Sequence, residues 1–294
     1  MREFEVMLDD NRFLDGLEAG DPDGDPLLFH NGTPGSRLLS TTWDRVAAAA
    51  GWRLLSFSRP GYGSSSPKPG RTVADVVADS AAVLDHVGAG RCVVWGHSGG
   101  GPHALACGAL LADRVTTCVS SAGIAPYEAD GLDWFGDMGE ANVEEFGLLA
   151  QGREHALEML DEERQVMLGA APSEVFDGVA SLLSAVDRRA MDEDDDLARW
   201  IAACCAEGLS DSAAGWVDDD LAFIAPWGFD VTEMTGDVRI WQGAQDRFVP
   251  AAHARWLAAA IPGARLELRP EHGHLSLLTG ETFGAILATL PRPA

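Results

Sequence analysis

The chain of 294 residues holds a single lysine, Lys68, among 21 basic residues, against 46 acidic ones and a net charge of −25. So acidic a surface repels phosphodiester backbones and anionic lipid headgroups, which excludes nucleic acid and the membrane surface as expected partners. With the only lysine in Ser66-Pro67-Lys68-Pro69, no G-x-x-x-x-G-K-[ST] phosphate loop exists. No apolar run approaches the ~20 residues of a membrane span. The opening Met1-Arg2-Glu3-Phe4-Glu5-Val6 lacks the basic-then-apolar profile of a secretory signal. Five cysteines (Cys92, Cys107, Cys118, Cys204 and Cys205) show no C-x-x-C spacing. That set reads as reduced, mostly buried thiols, and the expected location is the cytoplasm. What is present is an ordinary globular balance, 46% hydrophobic and 23% charged, over a length that suits two domains or one large α/β domain with an insertion.

Short apolar runs alternate with helical patterns along the first third. Residues 3–8 and 12–17 read as strands flanking the turn cluster Asp9-Asp10-Asn11, a hairpin signature. Strands are expected at 26–30, 53–57, 91–95 and 115–121, and helices at about 38–49, 72–87 and 101–111. Thr72 with Asp75 three residues on resembles a capping box. The rhythm returns with strand 238–242, helix 250–260, strand 265–269 and helix 281–290. Because the later strands are apolar on both faces, a parallel sheet covered by helices is expected. Between these blocks residues 124–236 are helix-patterned, rich in Trp and Phe, and carry the acidic runs 192–196 and 218–220. An insertion of that size between two strands predicts a helical cap on a core of residues 1–123 and 237–294.

Gly96-His97-Ser98-Gly99-Gly100 satisfies G-x-S-x-G between a predicted strand and a predicted helix. A glycine-rich turn with an incidental serine would satisfy it too. The strand–helix context favours chemistry, because a serine lifted clear of a sheet needs a tight, strained turn with small neighbours. The N–H of Gly99 would then open the helix and face negative charge forming near Ser98. A serine hydroxyl requires a base, and the base an orienting acid. Asp246 follows strand 238–242 and His274 follows strand 265–269, each at the C-terminal edge of the sheet, where ligands are met. His272 competes with His274 for the base. Gly273 gives the chain freedom to turn His274 inward, which favours His274. Asp237 precedes its strand and lies at the wrong edge. A metal reading of His272-Gly273-His274 lacks a carboxylate or cysteine cluster. A second oxyanion donor is expected from the loop His30-Asn31-Gly32-Thr33-Pro34-Gly35, at the N–H of Thr33. Gly99-Gly100-Gly101-Pro102-His103-Ala104 also fits a dinucleotide pattern, but no acidic residue follows about 20 positions on, where Ser120-Ser121-Ala122 stands.

Taken together these residues resemble the α/β-hydrolase family. The likeness rests on Asn31-Gly32-Thr33-Pro34-Gly35, Arg59-Pro60-Gly61-Tyr62-Gly63-Ser64-Ser65, the elbow at 96–100, and Asp246 with Gly273-His274. The resemblance implies an eight-stranded, mostly parallel sheet, a helical cap after strand six and no cofactor. Within the family the chain is similar to proline iminopeptidases and related carboxylesterases. It departs from them in three places. Asn31 stands where His is common, Ser58 where Asp commonly precedes the Arg-Pro-Gly turn, and Gly99 where iminopeptidases place Trp. The elbow serine disfavours the dehalogenases and epoxide hydrolases of the family, which use aspartate there.

The function expected first is cleavage of an ester or related acyl bond of a small molecule, with Ser98 as nucleophile, His274 as base and Asp246 as acid. A second expectation is aminopeptidase action on short peptides, with cap carboxylates (Glu144, Glu145, Asp194, Asp195, Asp218, Asp219) holding an α-ammonium. Against it stands the reading of these residues as a solvated acidic face. A third, of another class, is a ligand-binding protein that kept the fold without catalysis. Trp134, Phe135, Trp216, Phe223 and Trp227 are candidates to line an acyl pocket, although such residues more often form cap core.

Overall fold

A computed structural model describes residues 1–149, 151–169 and 180–293. The N-terminal hairpin is β1 (Arg2–Met7) and β2 (Phe13–Gly20), followed by β3 (Asp25–His30), helix α1 (Thr41–Ala49) and β4 (Trp52–Phe57). Then come α2 (Val76–His86), β5 (Cys92–His97), α3 (Gly100–Leu110) and β6 (Val115–Ser121). Ser40 starts α1 by accepting the N–H groups of Thr42 and Trp43. Thr72 and Asp75 form the capping box expected of them, but the first turn, Val73–Asp75, is 3₁₀ before α2 proper begins. Helices α4 (Glu140–Leu149), α5 (Arg153–Gly169), α6 (Ala185–Glu193), α7 (Asp195–Gly208) and α8 (Ala214–Ile224) fill the chain between β6 and β7 (Asp237–Gly243). Residues 170–179 of that stretch lie outside the described residues. The chain closes with α9 (Ala251–Ala260), β8 (Arg265–Arg269) and α10 (Gly280–Thr289).

The eight strands form one sheet in the order β1-β2-β4-β3-β5-β6-β7-β8. Antiparallel pairing is confined to β1–β2 and β2–β4, and the rest is parallel. Every residue of central β5 is buried, as a strand covered on both faces requires. The edge strands β1 and β8 alternate charged residues outward, which blunts edge pairing. One face packs Trp43, Trp95, Phe29 and Phe283, with the Trp43 and Phe283 rings stacked at 4.0 Å. That same cluster contains Trp200, Ile201, Cys204 and Cys205 of α7, and the cluster on the other face takes in Trp134, Phe223 and Trp227. Apolar residues of the inserted stretch thus join both clusters that contain the sheet, and among the described residues a smaller cluster around Leu160, Leu209 and Trp216 is built mainly from that stretch, with Tyr62. All five cysteines are free and buried. No helix among the described residues is long and apolar enough to cross a membrane.

Candidate active site

Sheet order sets the site. β3 and β5 are neighbours with His30 opposite Gly96, so the loop after β3 and the turn after β5 emerge side by side at one edge. β7 and β8 deliver Asp246 and His274 to the same edge. At the elbow Ser98 adopts φ +54°, a left-handed conformation costly for a residue with a side chain. Two glycines permit it: a Cβ on Gly96 would collide with the Gly100 carbonyl oxygen, and one on Gly100 with the carbonyl of His30. Helix α3 begins at Gly100, so its N-terminal end lies directly behind Ser98.

His274 Nδ1 donates to Asp246 Oδ2 at 2.8 Å, and both side chains are buried. The remaining acceptor sites of Asp246 are filled by the N–H groups of Phe248 and Val249, each at 2.9 Å to Oδ1, and by Gln242 Nε2 at 2.9 Å to Oδ2. A carboxylate so ringed by donors is fixed in direction. His272 instead faces Ser276, with Nδ1 3.3 Å from that residue's carbonyl oxygen. His97, beside Ser98 in the chain, lies with its ring centroid 4.7 Å from that of His274. Burial, with His274 adding to it, drives His97 well below the usual histidine range, so it stays neutral.

Two aspartates from the inserted helices hold the loops of this site. Asp187, fully buried at the start of α6, accepts the N–H of His274 at 3.0 Å and that of Ser276 at 2.9 Å, while Ser184 donates to it at 2.7 Å. Gly273 passes so close to Asp187 and Ser184 that no Cβ would fit there. Asp219 of α8 accepts Thr33 Oγ1 at 2.8 Å, Arg59 Nη2 at 2.6 Å, Tyr62 Oη at 2.9 Å and Arg71 Nη2 at 2.7 Å, with His103 Nε2 at 3.3 Å. Arg59 also donates to the carbonyls of Asn31 at 2.5 Å and Gly32 at 3.1 Å. Asn31 spans its own loop, its amide donating to the carbonyls of Ser36 and Leu38. Burial opposes charge on Asp219, but Arg59, Arg71 and His103 together hold its carboxyl well below the usual range.

Ser98, Gly99, Thr33, His97 and His274 share one pocket of about 200 Å³ with Trp216, Phe223, Phe248, Leu275 and Leu278. Of the aromatics singled out from the sequence, Trp216 and Phe223 line it. Trp134, Phe135 and Trp227 do not: Trp134 and Trp227 spend their indole N–H groups on the carbonyls of Ala125 and Phe223 and pack as core, and Phe135 packs at the edge of that core. His30, next to the loop of residues 31–35, is buried against Phe57 and Cys107 and does not line the pocket. Among the described residues no group of His, Cys, Asp and Glu is arranged to hold a metal ion.

The acidic candidates divide sharply. Glu144 and Asp195 are exposed and Asp194 caps α7, whereas Asp218, Asp219 and Asp220 are buried. A solvated face is therefore the wrong description of 218–220. Asp218 and Asp219 are neutralised by Arg153, Arg59 and Arg71. Glu145, Glu163 and Asp220 line the pocket, and the last two went unrecognised in the sequence. Burial, with Glu163 adding to it, pushes Glu145 up to about 7 against hydrogen bonds from Asp220 and Trp216. Burial and the adjoining Glu145 push Asp220 well above the carboxylate range. The folded chain thus holds these protons more tightly than the unfolded one. Stability present below the ordinary glutamate value of 4.5 is lost as pH rises toward about 7. Glu145→Gln is expected to melt higher than the wild type at pH 8 and close to it at pH 5. Parallel melting curves at the two pH values would contradict this charge assignment.

A sheet of this order, with a strained serine, a histidine–aspartate pair and a glycine loop at one edge, defines a hydrolase-type α/β architecture. Residues 25–281 match the family described as alpha/beta hydrolase fold, and the chain belongs to that family. It is 30% identical to a proline iminopeptidase of Arabidopsis thaliana over 49% of this chain and 40% of that one. It is 26% identical to a non-heme haloperoxidase of Rhodococcus erythropolis over 90% and 91% of the two chains. In structure it resembles the enol-lactonase of Burkholderia xenovorans, with TM-score 0.68, 19% identity and 97% coverage of both chains. The chain spans 62% and 40% of the lengths of the first two curated relatives it matches.

Proposed function

We propose that the protein is a serine hydrolase that cleaves an ester or related acyl bond of a small molecule. The observation that carries the reading is the His274–Asp246 pair opening onto the same pocket as a serine held at φ +54°. Ser98 Oγ attacks the acyl carbonyl as His274 takes its proton, and Asp246 balances the imidazolium. The N–H groups of Gly99 and Thr33 receive the oxyanion, each worth on the order of 10²–10³ in rate. The leaving group departs with the proton from His274, leaving an acyl group on Ser98. Water, deprotonated by the same imidazole, then releases the acid and restores the serine. Neither a cofactor nor a metal enters this scheme. In the same reading residues 124–236 form the cap over a core of 1–123 and 237–294, with Trp216 and Phe223 facing the acyl chain.

The aminopeptidase reading draws support from the similarity to a proline iminopeptidase. Position 99 speaks against it, because a Cβ there would strike Thr33 Oγ1 and come within 3.0 Å of Phe223, leaving no space for the tryptophan of those enzymes. Turnover of nitrophenyl acetate and butyrate against a prolyl nitroanilide separates the two. Ester hydrolysis, with an active-site-directed fluorophosphonate labelling Ser98, supports the ester reading. Faster cleavage of the nitroanilide replaces it with the peptidase, and ligand binding without any turnover replaces it with a non-catalytic protein.

A further inference from the structure

Among the described residues, three carboxyl groups in the pocket have no cation paired with them. Glu145 of α4 and Asp220 of α8 lie within hydrogen-bond reach of each other, and Glu163 of α5 lines the same pocket. Glu145 Oε1 accepts the indole N–H of Trp216 at 2.5 Å, while Asp220 Oδ2 is buried and receives no hydrogen bond. The neighbouring guanidinium groups pair with other carboxylates: Arg59 binds Asp219, Arg153 binds Asp218, and Arg71 donates through Nη2 to Asp219 with Nη1 3.7 Å from Asp218, its Nε and Nη1 making no hydrogen bond. Among the described residues no lysine, arginine or histidine forms an ion pair with Glu145, Glu163 or Asp220. Packing does not require such a set, since an unpaired acid in an apolar wall costs stability. Helix geometry aims it at the site. Trp216, Asp220 and Phe223 follow at i, i+4 and i+7, on one face of α8, and Phe223 lies against Gly99. Asp220 is therefore one turn, about 5 Å along the axis, from the residue that touches the elbow.

We infer that the Glu145–Asp220 pair is a subsite for a primary ammonium group on the substrate, which takes the place of the single proton the two carboxyls share. The inference rests on the hydrolase reading of the pocket and narrows its substrates to small acyl compounds bearing an amine a few bonds from the scissile carbonyl. Two adjacent carboxyls in a poorly solvated wall cannot both ionise alone, and their raised affinity for protons agrees with this. An ammonium offers three donors and a full charge, so both carboxylates accept from it and the shared proton leaves to solvent. The groups facing the pair favour a cation. Glu163 and Trp216 stand by Glu145, Asp219 and Arg71 stand by Asp220, and the one positive group among them, Arg71, is bonded to Asp219.

The test compares n-butylammonium, n-butanol and butyramide as inhibitors of nitrophenyl acetate hydrolysis at pH 7. It adds calorimetric titration of n-butylammonium in two buffers of different ionisation heat. The expected result is that the ammonium binds at least about tenfold more tightly than either neutral compound, with release of up to one proton. Asp220→Asn is expected to cut that advantage below about threefold. Equal inhibition by butanol or butyramide, binding without proton release, or an advantage that survives in Asp220→Asn overturns the inference. Should that variant not fold, Glu145→Gln and the wild-type titration decide it. Absence of ester turnover defeats the hydrolase reading alone, because calorimetry still reports whether the ammonium binds.

Discussion

Ser98→Ala is expected to lower kcat for nitrophenyl ester hydrolysis by about 10⁶, while KM changes little. The size follows from what is lost. Without the hydroxyl there is no acyl-enzyme, and the imidazole and oxyanion donors can assist only direct attack by water. The fold should survive, since Ser98 contributes a backbone N–H to the Ser121 carbonyl at 2.9 Å that alanine retains. Alanine also lacks any gain from φ +54°, so no stabilisation is expected to accompany the loss. Steady-state kinetics with a thermal melt separates chemistry from folding. A variant that melts like the wild type and keeps more than about a hundredth of its activity would remove Ser98 from the nucleophile's role.

Asp219→Asn is the second large effect. Asp219 and Arg59 are both fully buried, and Arg71 is nearly so, so removing the negative charge leaves Arg59 without an anion in the interior and Arg71 with only Asp218, 3.7 Å away. Breaking a buried pair in this way costs about 3–5 kcal/mol. Asparagine keeps one oxygen but presents an amide N–H₂ toward the donors that Asp219 satisfied. The consequence reaches the chemistry through Thr33, whose hydroxyl donates to Asp219, and through Arg59, which grips the carbonyls of Asn31 and Gly32. A displaced oxyanion donor should appear in kcat rather than KM, by up to about 10²–10³. Denaturant unfolding measures the first effect and ester kinetics the second. A variant as stable as the wild type would show that the buried cluster does not depend on its anion. Because Asp219 is held well below its ordinary value of 3.8, its contribution is complete above that pH and is lost only in stronger acid.

How much of this was legible from the sequence depends on how local each determinant is. Strands announced themselves as continuous apolar runs: residues 115–121 and 265–269 were located to the residue, and the others within one to three positions. Ser98, Asp246 and His274 could be singled out as candidates because each comes shortly after the C-terminal end of a strand, and strand ends are a local property. Asp187 carried no such signal. Its importance lies in accepting the N–H groups of residues 87 and 89 positions further along, which only the packing of α6 on that loop establishes. The run 218–220 misled for a related reason. Three consecutive aspartates suggest solvent, but a helix turns successive residues about 100° apart, and here two meet arginines from β4's loop, the α2 approach and α5 while the third enters the pocket. The aromatics were indistinguishable for the same reason. Trp216 and Trp227 lie on and just beyond one helix, and only the neighbouring surface decides that one faces the pocket and the other the core.

The central claim is that an acyl group passes through Ser98, and trapping it is the most direct test. The protein would be mixed briefly with excess nitrophenyl acetate, quenched in acid and digested for peptide mass analysis. The account predicts one acetyl group on the peptide carrying Ser98, absent in Ser98→Ala and accumulating when His274→Ala slows its release. Continued turnover with no adduct, or with the acetyl group on another residue, would contradict it.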